Sequence, residues 1–183
     1  MSAPVLIGVT GASGTIYARR LAEVLKSLDY RVELILTEAG EQVMKYEKEL
    51  DLLKYADVVH NNQNYFAPPA SGTSKYLAMV ILPCSMGTMG KVAHGTSDSL
   101  LTRAADVFLK ERRPLLILPR EMPFNAIHLE NMLKLHHAGA TLIAASPFFY
   151  YHPETIMDLV DTVVGKILDQ MHISHSLFKP WAQ

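Results

Sequence analysis

Residues 5–28 read VLIGVTGASGTIYARRLAEVLKSL, and this stretch decides the fold class. Val5 to Val9 is an apolar run with the length of a buried strand. TGASG (Thr10–Gly14) follows as a glycine-bearing turn. Beyond it Tyr17, Leu21, Val24, Leu25 and Leu28 share one helical face. A buried strand that passes through a tight turn into an amphipathic helix is the opening half of a βα unit.

The alternation recurs outward along the chain. Residues 32–36 form a second strand candidate, and a helix runs from Glu38 to about Glu47. Met79–Leu82, Leu115–Leu118 and Thr141–Ala144 give the third, fourth and fifth strands. Leu101, Ala104, Ala105 and Phe108 fall at i, i+3, i+4 and i+7, the stripe of a helix lying on a sheet. A last helix, after Pro153, carries Ile156, Leu159, Val160, Val163, Val164, Ile167, Leu168 and Met171. Residues 54–78, which include APPASGT, show neither period and read as a long functional loop. The tail HISHSLFKPWAQ carries Leu177, Phe178 and Trp181 without helical spacing, which predicts packing on a neighbouring subunit. The expectation is a single domain over residues 1–183, an α/β fold of three layers with a parallel central sheet flanked by helices.

Bulk composition excludes several classes of function. The 183 residues are 19% charged with a net charge of −1, so no basic field exists for nucleic acid or an anionic membrane. The apolar fraction is 49%, yet no apolar run approaches the roughly 18 residues of a membrane span. Met1, Ser2 and Ala3 lead into a strand without a basic start or cleavage site, so a cytoplasmic location is expected. The single cysteine, Cys84, forms no internal disulfide. His136 and His137 are adjacent and no HExxH occurs, so no metal is expected; His172 and His175 read as surface residues.

In an open parallel sheet, ligands bind beyond the carboxyl ends of the strands. Those ends carry TGASG, Thr37, PCSMGT (Pro83–Thr88), PRE (Pro119–Glu121) and SPFFYY (Ser146–Tyr151). Small, hydroxyl-bearing or charged groups thus converge on one rim. TGASG lets backbone approach an anion or a ring edge, with Ser13 and the amides opening the next helix as donors. A tight strand-to-helix turn explains the same glycines without any ligand. TGASG lacks the GxGxxG pattern and the GK[ST] ending of a P-loop, so neither NAD nor ATP is favoured. Cys84 as a nucleophile is outweighed by an inert cysteine at the end of a buried strand. Arg103 and Lys110 share a helical face and could reach one anion, or form a solvated edge. Arg120 and Glu121 could set a guanidinium on a phosphate or ring carbonyl with a carboxylate beside it for proton transfer, or form a structural ion pair.

With TGASG, APPASGT, PCSMGT, LLTRAADVFLKERRPLLILPRE, FNAIHLENMLKL and FFYYHPETIMDLVDTVVGKILDQ, the chain resembles the UbiX family of flavin prenyltransferases nearly end to end. The resemblance implies a Rossmann-like, flavodoxin-like flavoprotein fold, assembled as a homododecamer of trimers with FMN held between subunits. It implies FMN contacts at Gly11, Ala12, Ser13, Thr37, Ser85, Met86, Gly87, Thr88 and Arg120. The family commonly has serine at position 37 and often lysine at position 87. Contacts to dimethylallyl phosphate fall on Arg103, Lys110, Arg120, Glu121, Tyr150 and Lys166. Ser13, Glu47 and Glu121 take the catalytic, proton-handling roles, although a helix-surface glutamate is the ordinary explanation of Glu47. Phe148, Phe149 or Tyr65 would help wall a dry pocket. Similar enzymes use reduced FMN as the nucleophile, form a carbon–nitrogen bond, close a fourth ring, and pass prenylated FMN to a UbiD-type decarboxylase, with no metal. Two rival readings are a flavin-dependent decarboxylase of cysteine-containing substrates and a non-catalytic FMN carrier. APPASGT differs from the PASANT-like motif of the former.

Overall fold

The computed structural model describes residues 3–179 and Trp181. Its elements in chain order are β1 (Val5–Val9), α1 (Thr15–Ser27), β2 (Val32–Leu36), α2 (Glu38–Tyr46), β3 (Val58–His60), β4 (Ala78–Cys84), α3 (Met86–Ala93), α4 (Leu100–Lys110), β5 (Leu115–Pro119), α5 (Ala126–His137), β6 (Thr141–Leu142) and α6 (Ile156–Gln170). The six strands form one sheet in the order β3-β2-β1-β4-β5-β6, with every pair parallel.

Strands buried on both faces explain the unbroken apolar runs seen in the sequence. Along β1, Val5, Ile7 and Val9 point to one side and pack with Leu21, Leu25, Val163 and Ile167 of α1 and α6. Leu6 points to the other side, toward Leu101, Phe108, Met89 and Leu135 of α4, α3 and α5. Two cores thus sandwich the sheet, which makes three layers. Each fully buried Leu or Phe contributes on the order of 2 kcal/mol. Phe108 is fully buried between α4 and the sheet, and truncating such a ring to alanine costs about 3–5 kcal/mol.

Helix starts follow capping chemistry. Ser99 with Thr102, Asn125 with His128 and Thr155 with Asp158 form reciprocal caps on α4, α5 and α6, satisfying amides that have no partner within the helix. One acidic residue lies inside the sheet. Glu33 of β2 accepts from Tyr76 Oη and His60 Nε2 at 2.7 Å each and pairs with Arg31 at 3.0 Å, the partners a buried carboxylate requires.

The sequence expectation needs correcting in three places. Residues 54–78 are not a structureless loop: β3 pairs with β2 there, Glu33 opposite Val58 and Ile35 opposite His60. Three edge residues, with Val59 exposed, are too few to show a period. The strand expected at Thr141–Ala144 is only Thr141–Leu142, extended by one amide bond from Ile143 to Ile117. The tail also packs within its own chain: Leu177 lies on the core beside α1 and α6 and Phe178 lies against Gly165 of α6, while Trp181 stays exposed. Pro180, Ala182 and Gln183 of that tail, with Met1 and Ser2, lie outside the described residues. Among the described residues no helix is long and apolar enough to cross a membrane.

Candidate active site

Strand order reverses at β1, whose neighbours are β2 on one side and β4 on the other. The crevice above their carboxyl ends is where such sheets bind ligands. Thr10, fully buried, closes it: its Oγ1 donates to the Pro83 carbonyl and accepts from the Ser85 amide, both at 2.7 Å. The Arg120 amide donates to the Cys84 carbonyl at 3.1 Å. The ends of β1, β4 and β5 are therefore fixed to one another.

At Gly11 a Cβ would stand 2.6 Å from Ala39 Cβ, and at Gly40 it would stand 2.5 Å from the Val9 carbonyl oxygen. These glycines let the first turn of α2 press onto the end of β1. Packing therefore accounts for Gly11, and Ala12 beside it is buried. Thr37 caps α2, accepting the Gly40 amide at 3.0 Å.

Glu47 is not a surface glutamate. Its carboxylate reaches from the end of α2 to the turn after β1, accepting the Gly14 amide at 3.0 Å and the Thr15 amide at 2.8 Å. Burial opposes its charge, but hydrogen bonds from the Ser13 hydroxyl and the Gly14 and Thr15 amides outweigh that effect and hold it below the usual carboxylate range. The amides expected to meet an external anion at TGASG are thus occupied by the protein's own carboxylate. Ser13 and Glu47 are brought together.

The start of α3 differs. Ser85 accepts the Thr88 amide at 3.3 Å and donates to Thr88 Oγ1 at 3.0 Å. The Met86 and Gly87 amides have no partner among the described residues, and nothing lies within 4 Å of a Cβ built at Gly87. Open space and two free amides at a helix N-terminus make an anion site. Position 87 therefore has room for a side chain, as the lysine implied by the resemblance would need.

Arg120 and Glu121 stand exposed beside this opening. Neither forms an ion pair among the described residues. Among the described residues Glu121 accepts only the Met122 amide, at 3.1 Å. The guanidinium is available to a ligand. Cys84, by contrast, is buried, and burial pushes its thiol up to about 12, so it is no nucleophile at neutral pH.

The remaining residues lie elsewhere in the chain. Arg103 donates to the Ala70 carbonyl and pairs with Asp106 at 2.8 Å, and Lys110 pairs with Glu111 beside Gly72. With Arg113, which donates to the Gly72 and Ser74 carbonyls, they hold the APPASGT segment along α4. Lys110 precedes β5 and Arg120 follows it, so a strand of about 16 Å separates them. Met157 of α6 touches Arg19 of α1, and the tail after α6 lies beside Ser27 and Leu28. α6 therefore runs with α1 away from the rim, carrying Lys166 roughly 13 Å beyond Met157. Tyr150 stacks on Phe148, with ring centroids 4.5 Å apart. Phe149 is exposed, and Tyr65 donates to the Ser97 carbonyl at 3.3 Å, so these aromatic residues do not form one wall. His175 is not a surface residue, since its side chain is only 7% exposed and bonds Asp169 at 3.2 Å. Thr10 was not among the expected residues, although a hydroxyl ending an apolar strand was its signal. Among the described residues no group of three or more metal-ligating side chains occurs.

A doubly wound parallel sheet with polar strand ends gathered at the switch point defines a flavodoxin-like nucleotide-binding class, and the Flavoprotein family model matches residues 2–178. The flavin prenyltransferase UbiX of Alkalihalophilus pseudofirmus is 47% identical, over 97% of this chain and 95% of the relative. The structure of AnUbiX (PadA1) in complex with FMN and dimethylallyl pyrophosphate superposes with a TM-score of 0.97 at 34% identity, covering 100% of this chain and 99% of the other. A dodecameric FMN-dependent UbiX-like decarboxylase from Escherichia coli O157:H7 gives a TM-score of 0.94 at 36% identity, covering 98% and 100%. The chain belongs to the UbiX flavin prenyltransferase family.

Proposed function

We propose that this chain transfers a dimethylallyl group from dimethylallyl phosphate to reduced FMN and releases prenylated FMN for a UbiD-type decarboxylase. The observation that carries the reading is the unpaired Arg120–Glu121 couple beside the open N-terminus of α3, with the charged Glu47 carboxylate on Ser13 across the crevice. These groups suit FMN. The Met86 and Gly87 amides, Thr88, Thr37 and the Arg120 guanidinium would hold it, and the space above Gly87 admits it. When bound, reduced FMN supplies the nucleophile that displaces phosphate from the allylic carbon.

The protein's own groups then have three tasks. Arg120 stabilises negative charge on the departing phosphate, where preorganised donors are most effective. Glu47, held ionised by the Ser13 hydroxyl and the Gly14 and Thr15 amides, accepts a proton by way of the Ser13 hydroxyl. Glu121 moves a proton at the phosphate side. Lys110, Tyr150 and Lys166 would complete the anion cage from other copies of the chain, because in their own chain they lie away from the rim. The exposed Tyr46, Phe66, Met122 and Ile127 side chains suit such an assembly, in the family's habit a dodecamer. We read residues 1–183 as one domain acting in the cytoplasm.

Anaerobic incubation with reduced FMN and dimethylallyl phosphate, followed by mass analysis of released flavin, tests the reading. A gain of one prenyl unit supports it. Bound flavin of unchanged mass, with the diphosphate also tried, points instead to a cysteine-substrate decarboxylase or an FMN carrier.

A further inference from the structure

The segment after α6 makes two separate contacts with residues that the proposed reaction places on the donor phosphate. The first is aromatic. Gly165 leaves a notch in α6 where a Cβ would stand 2.3 Å from the Phe178 ring, and Phe178 fills it. Phe178 then meets Phe148 edge-on, with centroids 5.1 Å apart at 89°. Tyr150 lies flat on Phe148 at 4.5 Å and 5°, and Trp181 closes the column edge-on to Tyr150 at 4.8 Å and 86°. The Phe148–Tyr150 stack is thus clasped between two rings of the tail. Both edge-to-face ends have the geometry that aromatic quadrupoles favour.

The second contact is ionic. Asp169 accepts Lys166 Nζ at 2.7 Å on one oxygen and faces His175 Nε2 at 3.2 Å with the other. His175 also borders the Gly165 notch, 2.7 Å from where a Cβ would stand, and meets Phe178 at a centroid distance of 5.1 Å. One short stretch of chain therefore sets the ring that carries the Tyr150 hydroxyl and the carboxylate that holds Lys166.

We propose that this tail is a strap whose His175 and Phe178 are positioning residues, orienting Lys166 and Tyr150 to receive the phosphate of the allylic donor. The strap acts through Asp169 and Phe148 and does not touch the flavin. The proposal rests on the prenyl-transfer reading. A lysine and a tyrosine on an unsupported helix face and loop would spend binding energy on being ordered, whereas strapped side chains meet the phosphate already in place.

Gly165→Ala is the first variant to test. Its methyl group expels the Phe178 ring, the far end of a flexible side chain, so the helix itself is left intact. Phe178→Ala removes the ring directly, Phe178→Tyr is the conservative control, and His175→Ala with His175→Gln tests the ionic arm. Trp181 is the only tryptophan of the chain, so its emission reports whether the clasp has opened. The wild type is assayed first, and absence of prenyl transfer there rejects the reaction, and the strap with it. With an active wild type, Gly165→Ala and Phe178→Ala should shift Trp181 emission and raise the donor KM about tenfold, the scale of a lost aromatic pair. FMN affinity and kcat should stay within about twofold of wild type, a split that marks a lost binding contribution. Phe178→Tyr and His175→Gln should recover most of the donor affinity lost in the corresponding alanine variants. An unchanged donor KM with shifted Trp181 emission overturns the proposal. So does a parallel fall in flavin affinity, kcat and thermal stability, which marks a tail that merely holds the fold.

Discussion

The Glu47 carboxylate accepts the Thr15 amide at 2.8 Å across 32 residues of sequence and caps α1 from outside the helix. The helix's own N-cap residue is Gly14, at φ 108°, which has no side chain to offer. The left-handed turn needed between β1 and α1 selects glycine, and the missing cap is supplied by the end of α2. The same carboxylate is thereby placed on Ser13, at the mouth of the crevice.

Glu47 variants separate its two roles. Glu47→Ala leaves the Gly14 and Thr15 amides without a partner and should cost about 1–2 kcal/mol of stability, as loss of a helix cap does. Glu47→Gln keeps an accepting oxygen and should recover most of that stability while abolishing prenyl transfer. The pH dependence follows from a folded-state pKa held below the ordinary value. Stability contributed by Glu47 is present in full above the unfolded glutamate pKa of about 4.3 and is lost as pH falls through the lower folded value. The stability difference between wild type and Glu47→Gln should therefore be constant above about pH 5 and close as pH falls below it. A stable, fully active Glu47→Gln variant would contradict the proton-handling role.

Cys84 should be silent toward thiol reagents. It is fully buried with its thiol pushed up to about 12, so iodoacetamide at pH 7.5 should label it only in denaturant. Cys84→Ala should keep its turnover. Rapid labelling of native protein with matching loss of activity would restore the nucleophile reading.

The legible part of the fold was the part buried on both faces. Val5–Val9 and Val32–Leu36 are fully buried five-residue strands, and unbroken apolar runs bounded by turns mark such strands directly. β3 escaped because it is a three-residue edge strand, with Val59 exposed between half-buried Val58 and His60, too short to show a period. α3 escaped because Gly87 and Gly90 interrupt it, and α5 because apolar side chains such as Ile127 and Leu133 remain exposed on its outer face. At the site, strand ends announced the rim, but partnership did not show. Nothing in TGASG says that Glu47 will occupy its amides, and nothing in the tail says that Phe178 will seat on Gly165. The separation of Lys110 from Arg120 was legible in principle, since one precedes β5 and the other follows it.

Among the described residues Glu121 makes one bond, to the Met122 amide, and so has little structural work to lose. Glu121→Gln should melt within about 0.5 kcal/mol of wild type, as exposed substitutions do, and should still bind FMN. Prenylated flavin should no longer form. Turnover at the wild-type rate would remove Glu121 from the reaction.

Lys166→Ala should separate the two ligands. Lys166 is half-exposed and among the described residues pairs only with Asp169, a surface contact worth no more than about 1 kcal/mol. Its loss should leave FMN affinity nearly unchanged while the donor KM rises. Equal losses toward flavin and donor, measured by flavin titration and by donor saturation, would contradict a place in the anion cage.

Thr10→Val tests whether the crevice depends on one hydroxyl. The side chain is fully buried, and its oxygen serves the Pro83 carbonyl and the Ser85 amide at once. Valine matches its shape and removes both bonds; the Pro83 carbonyl keeps the residue-10 amide at 3.3 Å, but the Ser85 amide loses its partner, at a cost of about 1–3 kcal/mol. Ser85 caps α3, so a displaced Ser85 amide shifts the free Met86 and Gly87 amides away from any anion they hold. Thr10→Val should therefore lose flavin affinity beyond what its drop in thermal stability explains, while Thr10→Ser, which keeps the oxygen, should retain both. If Thr10→Val binds FMN as wild type does despite a lower melting temperature, the hydroxyl serves the fold alone and the α3 amides are not what holds the flavin.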